Sequence, residues 1–215
     1  MFVQVVDFIR LGFAPDFVPY ERALKQQREI HEQVAAGIRP DSVLLLEHTP
    51  VYTAGKRTEL AELPFDGSSY VETDRGGKIT WHGPGQLVGY PIMRLPQPID
   101  VVSYVRWLEQ QIIDCLRPFG ISGYRRDRMT GVWVDDNVGP AKIAAIGIRV
   151  ANKVTMHGFA LNCCNSLAPF ENIIACGLEG ARATSIQQLL GRSVQPIEIA
   201  EMIEAEMGAI PSGKF

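Results

Sequence analysis

The sequence predicts a single α+β or α/β domain, and three observations predict it. Runs rich in β-branched residues occur apart from segments of helical spacing, so strands and helices are separate elements. No internal repeat and no linker-like stretch interrupts the 215 residues. At roughly 150 residues per domain, that length is ample for one buried core, and the domain is expected to span 1–215.

Residues 2–9 read as a strand. A helix over 17–36 follows, with Pro19 near its first turn and Gly37 just past its end. Leu44 to Glu47 is a short strand of the buried type. From 70 to 93, β-branched residues punctuated by glycine indicate strand, turn, strand, with Arg75-Gly76-Gly77 as the turn. Asp100 caps a long helix in which Val101, Val105, Leu108, Ile112 and Phe119 recur at helical spacing, and Gly120 stops it. Strands around 130–134 and 141–150 flank a hairpin-like Asp135-Asp136-Asn137-Val138-Gly139, and a strand around 154–162 pairs with them. The remainder turns helical, with Thr184 and Pro196 as start signals.

Composition excludes several classes of function. Lys and Arg number 21 against 24 Asp and Glu, and the net charge of −3 argues against nucleic acid as the main partner. Charged residues at 21% and hydrophobic residues at 46% sit near globular averages, so the chain is not largely disordered. No apolar run approaches the ~18 residues of a membrane span, and the N-terminus lacks the basic start of a signal peptide. Four cysteines without a C-x-x-C point to a reduced, cytoplasmic protein rather than a disulfide framework. The 20 glycines and 14 prolines exceed average usage, so the backbone turns often or approaches something closely.

Three features stand out as candidates for chemistry. Cys176 lies in Ile173-Ile174-Ala175-Cys176-Gly177-Leu178; it is either a small buried hydrophobe or, beside a base or cation, a thiolate nucleophile. Cys163 and Cys164 compete for that role, and on a strand only one of them faces a given site. Lys142 interrupts an otherwise apolar stretch, Pro140 to Ile148; it either snorkels at a strand end or, if buried, serves as a base or as a thiolate's partner. The run Arg75-Gly76-Gly77-Lys78-Ile79-Thr80-Trp81-His82-Gly83-Pro84-Gly85-Gln86 reads as a tight hairpin or as a backbone cradle for a ligand. It meets neither the G-x-G-x-x-G nor the P-loop spacing. His82 and His157 are alternative bases, and the His157, Cys163, Cys164 and Cys176 set lacks zinc spacing, so no metal is expected.

Five segments occur in a telling order: Glu47-His48-Thr49-Pro50-Val51-Tyr52-Thr53-Ala54-Gly55, the Arg75–Gln86 run, Lys142-Ile143-Ala144-Ala145-Ile146-Gly147, His157-Gly158-Phe159-Ala160-Leu161-Asn162, and Ala175-Cys176-Gly177. In that order they resemble the lipoyl/octanoyl transferase family of lipoate biosynthesis, over about residues 40 to 190. The resemblance implies a fold like that of biotin and lipoate protein ligases, a central mixed sheet with flanking helices. It implies transfer of an octanoyl group from octanoyl-acyl carrier protein to a lysine of lipoyl domains, those of 2-oxoacid dehydrogenase E2 subunits and of the glycine cleavage H protein. It further implies a monomeric enzyme without cofactor. By the same resemblance Cys176 carries the acyl thioester and Lys142 activates it. Substrate contacts map onto Arg75, Gly76, Gly77, Lys78, Ile79, Thr80, Trp81 and His82, onto Ala145, Ile146 and Gly147, and onto Gly158, Phe159 and Ala160. Trp81 stands where the family usually has tyrosine, and Ala145 where serine is common.

A thiol suits this chemistry, because thioester exchange is near thermoneutral and needs no nucleotide activation. Two other readings fit parts of the pattern: an ATP-dependent lipoate or biotin protein ligase, and a non-catalytic acyl-binding or carrier-docking module. Arg125, Arg126 and Arg128, with only Asp127 opposing them in sequence, form a solvated loop or a docking patch for an acidic carrier.

Overall fold

The strand-forming runs assemble into one large mixed sheet in the computed structural model, which describes residues 3–174 and 182–211. The chain opens with β1 (Val3–Val5) and β2 (Asp7–Gly12), then α1 (Tyr20–Ala35), β3 (Ser42–Leu46), β4 (Val51–Ala54), β5 (Tyr70–Glu72), β6 (Thr80–His82) and β7 (Gln86–Ile92). It continues through α2 (Val101–Leu116), β8 (Tyr124–Arg126), β9 (Met129–Asp136), β10 (Gly139–Ala151), β11 (Val154–Asn162) and the one-turn α3 (Ala168–Glu171). The described C-terminal part holds β12 (Arg182–Ala183), α4 (Ile186–Leu190), α5 (Pro196–Met207) and β13 (Ala209–Pro211).

The large sheet runs β2-β3-β7-β11-β10-β9-β8, with β12 added to β10. Its β2–β3 and β10–β12 pairs are parallel and the others antiparallel. Along β3, Val43 and Leu45 enter one core and Leu44 and Leu46 the other, the period-2 division of a strand covered on both faces. Leu108, Ile112 and Leu116 of α2 and Ile199 and Ile203 of α5 fill the first core. Ala23, Ile30 and Val34 of α1 fill the second. The sheet therefore lies between α1 on one side and α2 with α5 on the other, the mixed sheet with flanking helices that was expected.

Local signals account for several boundaries. The Asp100 carboxylate accepts from Ser103 N at 2.9 Å, so α2 starts at Val101. The helix tightens into a 3₁₀ turn over 117–119 and ends on Gly120 at φ 72°, as expected. Helix α1 begins later than the expected 17, because Pro19 holds extended backbone (ψ 141°) and Val18 bridges to His48. The single strand expected over 2–9 is two, β1 and β2, which join different sheets. The start signal read at Thr184 falls one residue early: Ser185 caps α4 by accepting from Gln188 N.

One expectation fails in topology. The 70–81 stretch is not a hairpin, since β4 lies between β5 and β6 in a separate three-stranded sheet. The reason is Arg75, whose guanidinium donates to Thr53 O at 2.5 Å and Thr53 Oγ1 at 2.9 Å on β4, and to Gly76 O and Lys78 O in its own loop. The loop wraps around one buried cation instead of turning tightly. It also reaches the large sheet, where Gly76 N donates to Ile148 O at 2.8 Å.

Candidate active site

The small sheet and its loop stand against β10 and β11 and enclose a cavity of 280 Å³. Ala145, Ile146 and Gly147 of β10 line it opposite Ala160, Phe159 and Gly158 of β11, their partners in register. Gly147 is required by close approach, since a Cβ there would stand 2.9 Å from Gly76 O. Arg75, Gly77, Lys78, Thr80 and His82 supply the facing wall. Ile79 and Trp81 do not line the cavity, because alternate residues of a strand point to opposite faces; Trp81 instead meets Phe170 edge-on at 5.9 Å. Gly76 also lies outside the lining, its backbone bound to β10.

Lys142 lines the other end of the cavity. Its Nζ sits 5.2 Å from the centroid of the Trp133 ring, and the structure gives it no ion pair among the described residues. Gly131 makes room for the lysine stem: at φ 118° it carries no Cβ, which would lie 3.1 Å from Lys142 Cε. Lys78, by contrast, is committed to Glu59 at 2.7 Å and to Glu62. Cys176 lies outside the described residues. The other three thiols are poor nucleophiles: burial pushes Cys115 up to about 12, pushes Cys163 higher, and raises Cys164 as well.

A chain of buried hydrogen bonds ties the two ends together. Arg75 donates to Thr53 Oγ1, which donates to His82 Nε2 at 3.3 Å. His82 Nδ1 donates to Gln86 Oε1 at 2.9 Å, Gln86 Nε2 to Asn162 Oδ1 at 2.9 Å, and Asn162 Nδ2 to Thr184 O at 2.9 Å. Thr184 N closes the path on Lys142 O at 3.0 Å. Burial, with the nearby charge of Arg75 adding to it, lowers His82 to about 3, so its ring is neutral and each nitrogen has one role. His48 is likewise lowered to about 4 by burial, and it donates to Val18 O and accepts from Tyr90 OH at 2.7 Å.

His157 occupies β11 with φ 57°, an unusual backbone for a non-glycine residue in a strand and typical of constrained functional sites. Its Nε2 meets Asp74 Oδ1 at 2.7 Å, and Arg149 also contacts Asp74. Burial pushes the Asp74 carboxyl upward, but the His157 hydrogen bond and the Arg149 charge outweigh it and hold the group below its ordinary value. Burial lowers His157 despite that carboxylate.

Sequence reading did not single out Tyr20, Arg57, Tyr90, Met129 and Thr130, which also line the cavity. None belongs to a local motif; Tyr20 and Tyr90 converge because α1 packs on neighbouring β7 and β11, Met129 and Thr130 arrive on β9 beside β10, and Arg57 follows β4. The basic cluster is corrected as well. Arg125 is not opposed by Asp127 alone, since it binds the fully buried Glu109 at 3.2 Å and donates to Gln110 and to Arg106 O. Arg126 packs over Trp133 at 4.7 Å. Only Arg128 of the three reaches the cavity, where it shares the exposed rim with Arg57.

Comparison with known proteins agrees with this geometry. In fold, the chain is similar to a bipartite lipoate protein ligase from Thermoplasma acidophilum (TM-score 0.70, 14% identity, 95% of this chain and 82% of that one). It is also similar to the biotin protein ligase of Aquifex aeolicus (TM-score 0.52, 9% identity, 95% and 67%). The lipoyl protein ligase A/B catalytic domain matches residues 19–208. The octanoyltransferase of Leifsonia xyli subsp. xyli is 53% identical over 207 residues, 95% of this chain and 92% of its own. That of Salinispora tropica is 54% identical over 190 residues, 87% and 89%. With a cavity between the small sheet and β10 and β11, a lysine in its lining and relatives of this closeness over almost its whole length, the chain belongs to the octanoyltransferase family.

Proposed function

We propose that the chain takes the octanoyl group of an acyl carrier protein onto Cys176 and passes it to a lysine of lipoyl domains, including those of 2-oxoacid dehydrogenase E2 subunits and the glycine cleavage H protein. The carrying observation is the placement of Lys142: it ends an acyl-sized slot, has no ion pair among the described residues, and pairs through β10 with Ala183 of β12. That short strand follows Cys176 closely in sequence, at 182–183. Asp136 pins it by an ion pair with Arg182, whose guanidinium holds the carboxyl down to about 2.

The proton inventory closes in two halves. The Cys176 thiol gives its proton to the Lys142 amine, and the thiolate attacks the carrier thioester. The C–S bond to the carrier breaks, and its sulfur leaves with the proton from Lys142. The acceptor lysine then enters as a neutral amine and attacks the acyl-enzyme, its proton passes to Lys142, and Cys176 leaves and is reprotonated. Each tetrahedral oxyanion needs fixed donors about 3 Å away, for which backbone N–H groups near Gly147 or Cys176 are the candidates. A thiol nucleophile of this kind needs a reducing compartment, and the reading accordingly takes the cytoplasm as the site of the reaction.

Intact-mass analysis tests the reading. Mixed with octanoyl-loaded carrier and no nucleotide, the wild type is expected to gain one octanoyl group and Cys176→Ala none. A requirement for ATP and magnesium would point to a ligase instead. A persistent adduct on Cys176→Ala would move the nucleophile elsewhere.

The rim suggests how the donor is drawn in. Arg57 and Arg128 are exposed on separate loops at the cavity mouth, and an acidic carrier complements them. The double variant Arg57→Glu/Arg128→Glu is expected to raise KM for the loaded carrier about tenfold at low salt, with the gap shrinking toward 0.5 M as charges are screened. Steady-state kinetics across a salt series measures it, and a salt-independent KM in the wild type would remove the docking role.

A further inference from the structure

Lys142 faces the cavity only because β10 changes parity beside it. Successive residues of a strand alternate between its two faces. Ala145 and Gly147 line the cavity, whereas Ala144, Ile146, Ile148 and Val150 contact the core under α2 and α5. An unbroken alternation would send Lys142 the way of Ala144, into that core. The register with β9 shows why it does not go there: Lys142 lies opposite Trp133 and Ala144 opposite Val132, so Ile143 is an extra residue on β10. Ile143 and Ala144 both enter the core, as do Val132 and Val134 of β9, whereas Trp133 enters neither core. This is a β-bulge, a device that re-aims a side chain. Here it turns the lysine onto the face of Trp133, whose ring lies under the ammonium.

The bulge is held from the helix side. Strand β9 pairs with β10 from Asp136 to Val132, so the N–H of Gly131 falls outside that ladder. It donates instead to Glu109 Oε1 of α2 at 2.9 Å, in a buried bond. A buried N–H without an acceptor is costly, which ties the bulge to this one carboxylate. Glu109 is 0% exposed, and its Oε2 accepts from Arg106 at 2.8 Å and lies 3.2 Å from Arg125 Nε. Only glycine fits at 131, where a Cβ would stand 2.4 Å from Ala144 O and 3.1 Å from Lys142 Cε. One residue thus meets the bulge, the lysine stem and the carboxylate.

We propose that Glu109 is a positioning residue for the acyl transfer: through the Gly131 N–H it fixes the bulge that aims Lys142 into the cavity. The proposal rests on the acyl-transfer reading above and adds to it a residue of α2 outside the cavity lining. The reach of the side chain carries this role and its charge does not, because Arg106 and Arg125 are partly exposed and Arg125 has further partners in Gln110 and Arg106 O.

Two variants separate reach from charge. Glu109→Gln keeps an oxygen at the same reach and drops the charge. Glu109→Asp keeps the charge and draws the oxygens back by one methylene, about 1.5 Å. Brief reductive methylation with formaldehyde and cyanoborohydride, read by peptide mass spectrometry, compares Lys142 with the exposed Lys25 and needs no acyl transfer. Single-turnover octanoylation from loaded carrier gives the rate and the apparent Kd of the carrier. Glu109→Gln is expected within about threefold of the wild type in both readouts. Glu109→Asp is expected to label Lys142 about tenfold less and to acylate about a hundredfold more slowly, the scale of an ångström of misplacement, with the carrier Kd within about twofold. Wild-type labelling and rate in Glu109→Asp overturn the proposal, as does a loss in Glu109→Gln equal to or larger than that in Glu109→Asp. If the wild type forms no octanoyl adduct, the acyl-transfer reading falls, and the labelling ratio still decides whether Glu109 aims the lysine. If Glu109→Asp does not fold, amide exchange at Gly131 decides: protection of about a hundredfold or more is expected in the wild type and in Glu109→Gln, and unprotected exchange overturns the proposal.

Discussion

Alanine at position 142 is expected to slow octanoylation of the enzyme by 10²–10⁴-fold, the usual contribution of a positioned acid–base group. Stability should barely move. Lys142 is half-buried, and the contact it loses in the structure is the one over the Trp133 ring, worth about 0.5–1 kcal/mol. The two readouts therefore separate: rapid-quench mass spectrometry shows the slowed adduct, while thermal melts coincide with the wild type to within a few degrees. Lys142→Arg keeps the positive charge and cannot take up a proton, so it should be nearly as slow as the alanine variant. Small primary amines in the buffer should restore part of the rate of Lys142→Ala and none of Lys142→Arg. A wild-type rate in Lys142→Ala would remove this residue from the chemistry.

Arg75→Ala is expected to produce the reverse pattern, a large loss of stability that takes activity with it. The guanidinium holds Thr53 on β4 and two carbonyls of its own loop, and that loop forms one wall of the cavity. Removing it leaves buried carbonyls and the Thr53 hydroxyl short of a donor. Charge-assisted bonds of this kind contribute about 1.5–3 kcal/mol each, and partial relaxation brings the total to about 3–5 kcal/mol. For a chain of this length, 1 kcal/mol shifts Tm by about 2–4 °C, so the midpoint should fall by roughly 6–20 °C. Arg75→Lys recovers only part of this, because an ammonium lacks the planar fork that reaches β4 and its own loop at once. Calorimetry checks the shift, and a drop under 2 °C would mean that the loop is held by other contacts.

How far these features could be read from residues alone depends on the range of the interaction responsible. Helix α2 was legible at both ends, since Asp100, the spacing of Leu108 and Ile112, and Gly120 all act within a few residues of themselves. The hairpin of β9 and β10 was legible for the same reason. The order β5-β4-β6 was not, because Arg75 settles it by reaching Thr53, and nothing in the intervening sequence announces that contact. Arg125 looked like a free surface cation until Glu109, on a helix earlier in the chain, was found beneath it. Within the site, glycines and the lone lysine of β10 were conspicuous because they break an apolar pattern. Tyr20 and Tyr90 break none, and they acquire meaning only when α1 and β7 are brought to the same cavity.

The path from Arg75 through Thr53, His82, Gln86 and Asn162 to Thr184 has one further consequence. Every group along it donates in the same sense, away from the cation. No single link can be reversed while its neighbours keep their bonds, so the six residues behave energetically as one object. Cutting the path at Gln86 leaves His82 without its acceptor and Asn162 Oδ1 with Asn165 as its remaining donor, and a second cut elsewhere then has less left to break. Losses at these positions are therefore less than additive, as for any cooperative hydrogen-bonded string. A lineage that gives up one member has correspondingly little reason to keep the rest.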